Sequence, residues 1–82
     1  MARFRIFYFA QAREAAGVRS EEITLDGTPS VRLILEEAIR LHPPLRKLRG
    51  GMRVAVNEEV VSDEETVRDG DRVALIPPIV GG

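Results

Sequence analysis

The chain has 82 residues, 12 Lys+Arg against 13 Asp+Glu for a formal net charge of −1, and no cysteine. That length allows one small domain. The missing cysteines remove disulfides, iron–sulfur clusters, thiolate metal sites and a cysteine nucleophile, and no metal site is expected. A near-neutral balance argues against the strongly basic face of a nucleic-acid binder, and no apolar run approaches the ~20 residues of a membrane span.

Arg3 to Ala10 holds all the aromatic residues (Phe4, Phe7, Tyr8, Phe9) and reads as a strand. Ala12 to Gly17 is a short helical or irregular bridge. Glu21 to Leu25 alternates polar and apolar, as a second strand does. Asp26-Gly27 is a turn, and Ser30 is placed to cap a helix that begins at Val31. Val31, Ile34, Leu35, Ala38, Ile39 and His42 recur at helical spacing, and Leu33 and Leu41 widen that stripe. Pro43-Pro44 stops the helix, and Leu45 to Arg49 adds one more turn. Met52 to Val56 is a third strand. Asn57-Glu58-Glu59 is a bend, and Val60-Val61 a short fourth strand. Val67 anchors a loop. Asp69-Gly70-Asp71 turns into the last strand, Arg72 to Ile76. One helix crossing one mixed sheet makes an α+β two-layer domain over residues 1–76, followed by an extended tail, 77–82.

Side chains alternate along a strand. If Arg3 and Arg5 face solvent, Phe4, Ile6 and Tyr8 face the helix, and Phe7 and Phe9 share the outer face with the arginines. Val73 and Leu75 then point inward; Arg72, Ala74 and Ile76 point outward. If the first and last strands are parallel neighbours, Phe7, Phe9 and Ile76 form an exposed apolar patch that Val60 extends. A contiguous patch suggests a partner, whereas a covering loop or a bulge would make it ordinary core.

In the tail, Pro77-Pro78 ends the ladder and imposes a stiff exit. Gly81-Gly82 finishes the chain without side chains, so its backbone fits a narrow site. The end could therefore present the Gly82 carboxylate to another protein. A carboxylate is a poor electrophile until it is activated, for example as a mixed anhydride with AMP. A sulfur donor could then leave a thiocarboxylate at Gly82, or a lysine amine could form an isopeptide.

Phe9-Ala10-Gln11-Ala12-Arg13-Glu14 with Gly17, Val56-Asn57 with Val60, Asp69-Gly70-Asp71, and Pro77-Pro78 with Gly81-Gly82 together resemble a known family along the whole chain. It is the small, sulfur-carrier subunit of molybdopterin synthase, a ubiquitin-like β-grasp protein. The resemblance implies that the first and last strands are parallel central neighbours. It also implies that Phe9, Val60 and Ile76 contact both the large synthase subunit and a ubiquitin-activating-like adenylating enzyme that uses ATP. By the same resemblance, the carrier is expected to bind no cofactor and not to be catalytic alone. Two thiocarboxylated copies, used in succession in a cytoplasmic heterotetramer with two large subunits, deliver the dithiolene sulfurs to cyclic pyranopterin monophosphate. A thiamine-pathway sulfur carrier shares the fold and the terminal glycines, and a ubiquitin-like protein modifier is a further alternative.

The remaining candidates have plainer explanations. His42, the one histidine, sits at a helix C-terminus, where the dipole favours a charged ring. Arg13 and Glu14 are expected to pair locally. Gly50-Gly51 lacks the frame of a phosphate loop.

Overall fold

The computed structural model describes residues 1–78. Gly81 and Gly82, which carry the predicted tail chemistry, lie outside the described residues. In chain order the elements are β1 (Ala2–Tyr8), α1 (Ala10–Ala16), β2 (Ser20–Leu25), α2 (Val31–Leu41), a 3₁₀ helix (Pro43–Gly51), β3 (Arg53–Val56), β4 (Glu59–Val61) and β5 (Arg72–Ile76). The five strands form one sheet in the order β2-β1-β5-β3-β4. The central pair β1–β5 is parallel, and the other three pairings are antiparallel.

The alternation expected for β1 is observed. Phe4, Ile6 and Tyr8 are buried while Arg3 and Arg5 are exposed. Val73 and Leu75 on β5 are fully buried and meet Val31, Ile34, Leu35 and Ala38 of α2 in one core. Val67 also enters this core with no exposed surface. It fixes the irregular stretch between β4 and β5, and its N–H donates to the Pro29 carbonyl at 2.8 Å.

The start of α2 is fully serviced, which matters because the first turn of any helix leaves N–H groups without helical partners. Ser30 Oγ accepts from Leu33 N–H at 3.3 Å. The N–H groups of Val31 and Arg32 donate to the Glu65 and Asp63 carbonyls at 2.8 and 3.0 Å. The loop that Val67 anchors therefore also caps the helix, and Arg32 pairs with Glu64 across the same junction.

Four expectations need correction. β1 stops at Tyr8 and not at Ala10, because Ala10 turns the chain with φ 48° and opens a regular helix of seven residues. Gly17 closes that helix in the left-handed conformation (φ 79°), and its N–H donates to the Arg13 carbonyl at 2.9 Å. Leu33 and Leu41 are exposed and do not widen the buried stripe; the sheet is contacted by a narrower face of α2. The segment after Pro43 is a nine-residue 3₁₀ helix that buries Leu45, where only one turn was expected. Arg13 and Glu14 form no ion pair among the described residues.

A candidate docking face and tail exit

Strand register places the outward side chains of four strands in rows. Phe7 of β1 lies opposite Ala74 of β5, Ala74 opposite Ala55 of β3, and Ala55 opposite Val60 of β4. This apolar row crosses the sheet on the face away from α2. Ala55 is 5% exposed yet stands apart from the core cluster. Its burial comes from its neighbours on the outer face, and a methyl there leaves the row flat. One step toward the C-terminal ends of β1 and β5, Ile76 is paired with Arg53, and Phe9 follows the end of β1.

Phe9 is 50% exposed, Val60 57% and Ile76 37%, so all three lie on the surface and not in the core. Phe7 is half-buried. Phe9 keeps its outward direction although it lies beyond the strand, because its backbone remains extended (φ −117°, ψ 149°) and its N–H donates to the Leu75 carbonyl at 3.3 Å. Phe7, Phe9 and Ala74 line a shallow groove of about 230 Å³ with Glu58 and Arg72 at its edge. The structure thus brings Phe7, Phe9, Val60 and Ile76 onto one face.

The β3–β4 bend shapes one side of this face. Asn57 and Glu58 both adopt positive φ (52° and 75°), the geometry of the tight hairpin turn whose twist matches that of its strands. Asn57 is held on both sides. Its Oδ1 accepts from Arg72 N–H at 3.0 Å, and its Nδ2 donates to Asp71 Oδ1 at 3.0 Å. Asp71 Oδ2 in turn accepts from Arg68 N–H at 2.8 Å. The Val56-Asn57 and Asp69-Gly70-Asp71 segments are therefore one hydrogen-bonded unit that ties the hairpin to the start of β5.

The exit of the tail has a component that sequence reasoning missed. Pro77 is buried and Pro78 exposed. A Cβ built on Gly51 would lie 3.0 Å from both Cβ and Cγ of Pro78. Gly51 is therefore a seat for the Pro78 ring, and any side chain there would push the ring aside by a few tenths of an ångström. Gly51, Arg53, Ile76, Pro77 and Pro78 line one hollow of about 370 Å³ at the root of the tail. Two features of the sequence carried a hint, the Gly-Gly before β3 and the Pro-Pro after β5, but nothing local links them.

His42 has a structural task. Its Nε2 lies 2.6 Å from Glu21 Oε2, which also accepts from the Tyr8 hydroxyl at 2.5 Å. The Tyr8 and His42 rings meet edge to face at 5.7 Å. The trio joins β1, β2 and the end of α2 on the core side. Burial first, then the hydrogen bond to Glu21 and its negative charge, push the Tyr8 hydroxyl well above the ordinary phenol range.

Among the described residues no group of three or more His, Cys, Asp or Glu could hold a metal ion, and no helix is long and apolar enough to cross a membrane.

Comparison with known proteins gives a consistent result. The chain is 37% identical over 82 residues to the molybdopterin synthase sulfur carrier subunit of Chlamydomonas reinhardtii, covering 98% of this chain and 99% of that one. It is 35% identical over 85 residues to the human protein of the same name, covering 100% and 97%. The crystal structure of SAMP1 from Haloferax volcanii superposes with a TM-score of 0.88 at 29% identity, over 99% of this chain and 100% of that one. The model of the ThiS family matches residues 6–82, which include both terminal glycines. The chain belongs to the ThiS family and has the ubiquitin-like β-grasp fold.

Proposed function

We propose that the protein is a sulfur carrier of molybdopterin synthesis and the small subunit of a molybdopterin synthase. The observation that carries this reading is the exposed apolar row that ends at the root of a Pro-Pro tail. Likeness along nearly the full length to sulfur carrier subunits supports it. Phe7, Phe9, Val60 and Ile76 dock on the large subunit, which supplies the catalytic groups, and the tail enters its active site.

Gly82 carries the chemistry. Its carboxylate attacks the α-phosphorus of ATP on an adenylating enzyme and pyrophosphate leaves. A sulfide-level sulfur donor then attacks the acyl carbon, AMP leaves, and a thiocarboxylate remains. The thiocarboxylate sulfur attacks a side-chain carbon of cyclic pyranopterin monophosphate on the large subunit and an oxygen group leaves; water then cleaves the acyl–sulfur bond, which leaves the sulfur on the pterin and restores the Gly82 carboxylate. Gly81 leaves the backbone slender at that point, and Pro77 and Pro78 lower the cost of ordering the tail.

The test is the intact mass after incubation with ATP, a sulfur donor and the adenylating enzyme of the same organism. The expected result is the gain for one oxygen replaced by sulfur, absent when Gly82 is deleted. No gain, with the enzyme active on another carrier, would overturn the proposal. The likeness to SAMP1 favours a second reading, protein modification. It predicts isopeptide-linked lysines on other proteins in place of the thiocarboxylate.

The seat for Pro78 yields a further expectation. A valine at Gly51 pushes its branched side chain into the Pro78 ring, so Gly51→Val redirects the tail. Displacement of a reacting group by about 1 Å can cost on the order of 10²-fold in rate. Single-turnover sulfur transfer by the pre-loaded variant should fall by about that factor, with saturation by the large subunit little changed. An unaltered transfer rate would show that the seat does not aim the tail.

A further inference from the structure

The apolar row is framed by arginines, and the acids of the frame gather at its Arg5–Arg72 end. Arg5 and Arg72 are cross-strand neighbours on the outer face, and Arg53 stands beside Ile76 at the tail root. Arg13 and Arg19 line a second hollow with Phe7 and Phe9 on the far side of the patch. Four acids border this part of the face: Asp69 and Asp71 line a hollow with Arg5, Phe7 and Arg72 but are engaged by the Arg3 N–H and by Asn57 and Arg68, and the other two are Glu22 and Glu58. Glu22 is paired with Arg5 in the strand register, and Glu58 approaches Arg72 at 3.4 Å with both side chains largely exposed. The Arg5 guanidinium donates to Ser20 Oγ at 3.2 Å. Among the described residues Arg13, Arg19 and Arg53 have no carboxylate within ion-pair distance.

The chain as a whole carries a net charge of −1. A framed positive face on a slightly acidic protein means that charge is sorted by side. Exposed arginines around an apolar centre match the anatomy of an interface with a dry middle and a charged rim. Their planar guanidinium groups suit bidentate contact with carboxylates.

We propose that the arginine frame selects the partner: the large synthase subunit presents an apolar ridge bordered by carboxylates, and Arg53 and Arg72 meet two of them on either side of the Ala74–Ile76 stretch. This rests on the docking proposed above and adds the charge of the partner's rim. The apolar row supplies adhesion that any greasy surface could share. The frame supplies discrimination, because a partner with a basic rim would meet like charge. Arg53, next to the tail root, sets the register that brings the tail to its entrance.

The test is calorimetric binding of the cognate large subunit at about 50 mM and about 500 mM salt, conditions that differ several-fold in screening length. The Arg53→Glu/Arg72→Glu double variant should bind about 100-fold more weakly at low salt, about tenfold for each arginine. The defect should shrink to a few-fold at high salt. Arg53→Gln/Arg72→Gln, which removes charge without reversing it, should lose about tenfold at low salt and guards against a reversal that misfolds. Phe9→Ala should weaken binding at both salts, because apolar contact is not screened. If Phe9→Ala weakens binding but neither arginine double variant does at low salt, the frame has no role and the docking stands. If the arginine variants lose only loading by the adenylating enzyme, the frame belongs to that partner and the proposal is overturned. If neither Phe9→Ala nor the arginine variants change binding, the docking face itself is wrong, and the frame falls with it.

Discussion

Truncation of Leu45 to alanine is expected to lower the melting temperature by roughly 10–30 °C. Leu45 has no exposed surface, and it sits on the 3₁₀ helix, which contacts both α1 and α2. Those helices bring Ala12, Ala16 and Ala38 to the core. Alanine methyls cannot swing into a void, so the site relaxes little and the cavity cost adds to the lost transfer energy. Large-to-small changes of this kind cost about 2–5 kcal/mol. A domain of this size has a total of roughly 4–12 kcal/mol, so the variant approaches the limit of folding. Thermal unfolding followed by circular dichroism is the measurement. A shift below about 5 °C would show that neighbouring residues collapse onto the gap and that the 3₁₀ segment is a covering and not a wedge.

Stability should fall as pH rises above about 10, and Tyr8→Phe should remove that dependence. Burial and the hydrogen bond to Glu21 raise the Tyr8 hydroxyl in the folded protein. In the unfolded chain it titrates near 10. Below that pH both states hold the proton and the stabilisation is fully present. Above it the unfolded state releases a proton that the folded state keeps. The unfolded state then binds fewer protons, so the unfolding free energy declines with pH, by up to about 1.4 kcal/mol per unit. The chain has one tyrosine and one lysine, Lys47. Phenylalanine at position 8 leaves Lys47 in place, so the difference between the two curves belongs to Tyr8. At neutral pH the variant should be less stable by about 1.5–3 kcal/mol, the worth of a hydrogen bond to a charged acceptor. The curves should converge one to two units above about pH 10. Denaturant titrations across that range decide the matter, and parallel curves would place the alkaline response elsewhere.

Both expectations concern features with unequal visibility in the sequence. The sides of β1 were legible because Arg3 and Arg5 alternate with Phe4 and Ile6, and a buried arginine costs too much to be placed inward. The start of α2 was legible because Ser30 precedes a clear helical stripe. The bend at Asn57-Glu58 was legible from its residue types. The α1 start was missed because Phe9-Ala10 continues a run of strand-formers. The actual break is a positive φ at an alanine, which composition does not announce. The exposed Leu33 and Leu41 fit the helical period as well as the buried residues do, and only the sheet decides which face is covered. The Tyr8–Glu21–His42 trio and the seat of Pro78 on Gly51 join residues far apart in the chain. No local pattern encodes such pairs, and they follow from how the helices pack on the ordered strands.

The seating of Pro78 on Gly51 also sets a length. Gly82, the proposed sulfur-bearing residue, lies four residues beyond Pro78, and four extended residues span at most about 14 Å. The folded body is too wide to follow the tail into a cleft. A carrier loaded at Gly82 would therefore work as a depth gauge. Under the proposed chemistry at Gly82, each enzyme that loads or unloads it would have to hold its reacting centre within that distance of the surface on which the body rests. Enzymes of unrelated chemistry would then share one dimension, dictated by the small protein that visits them.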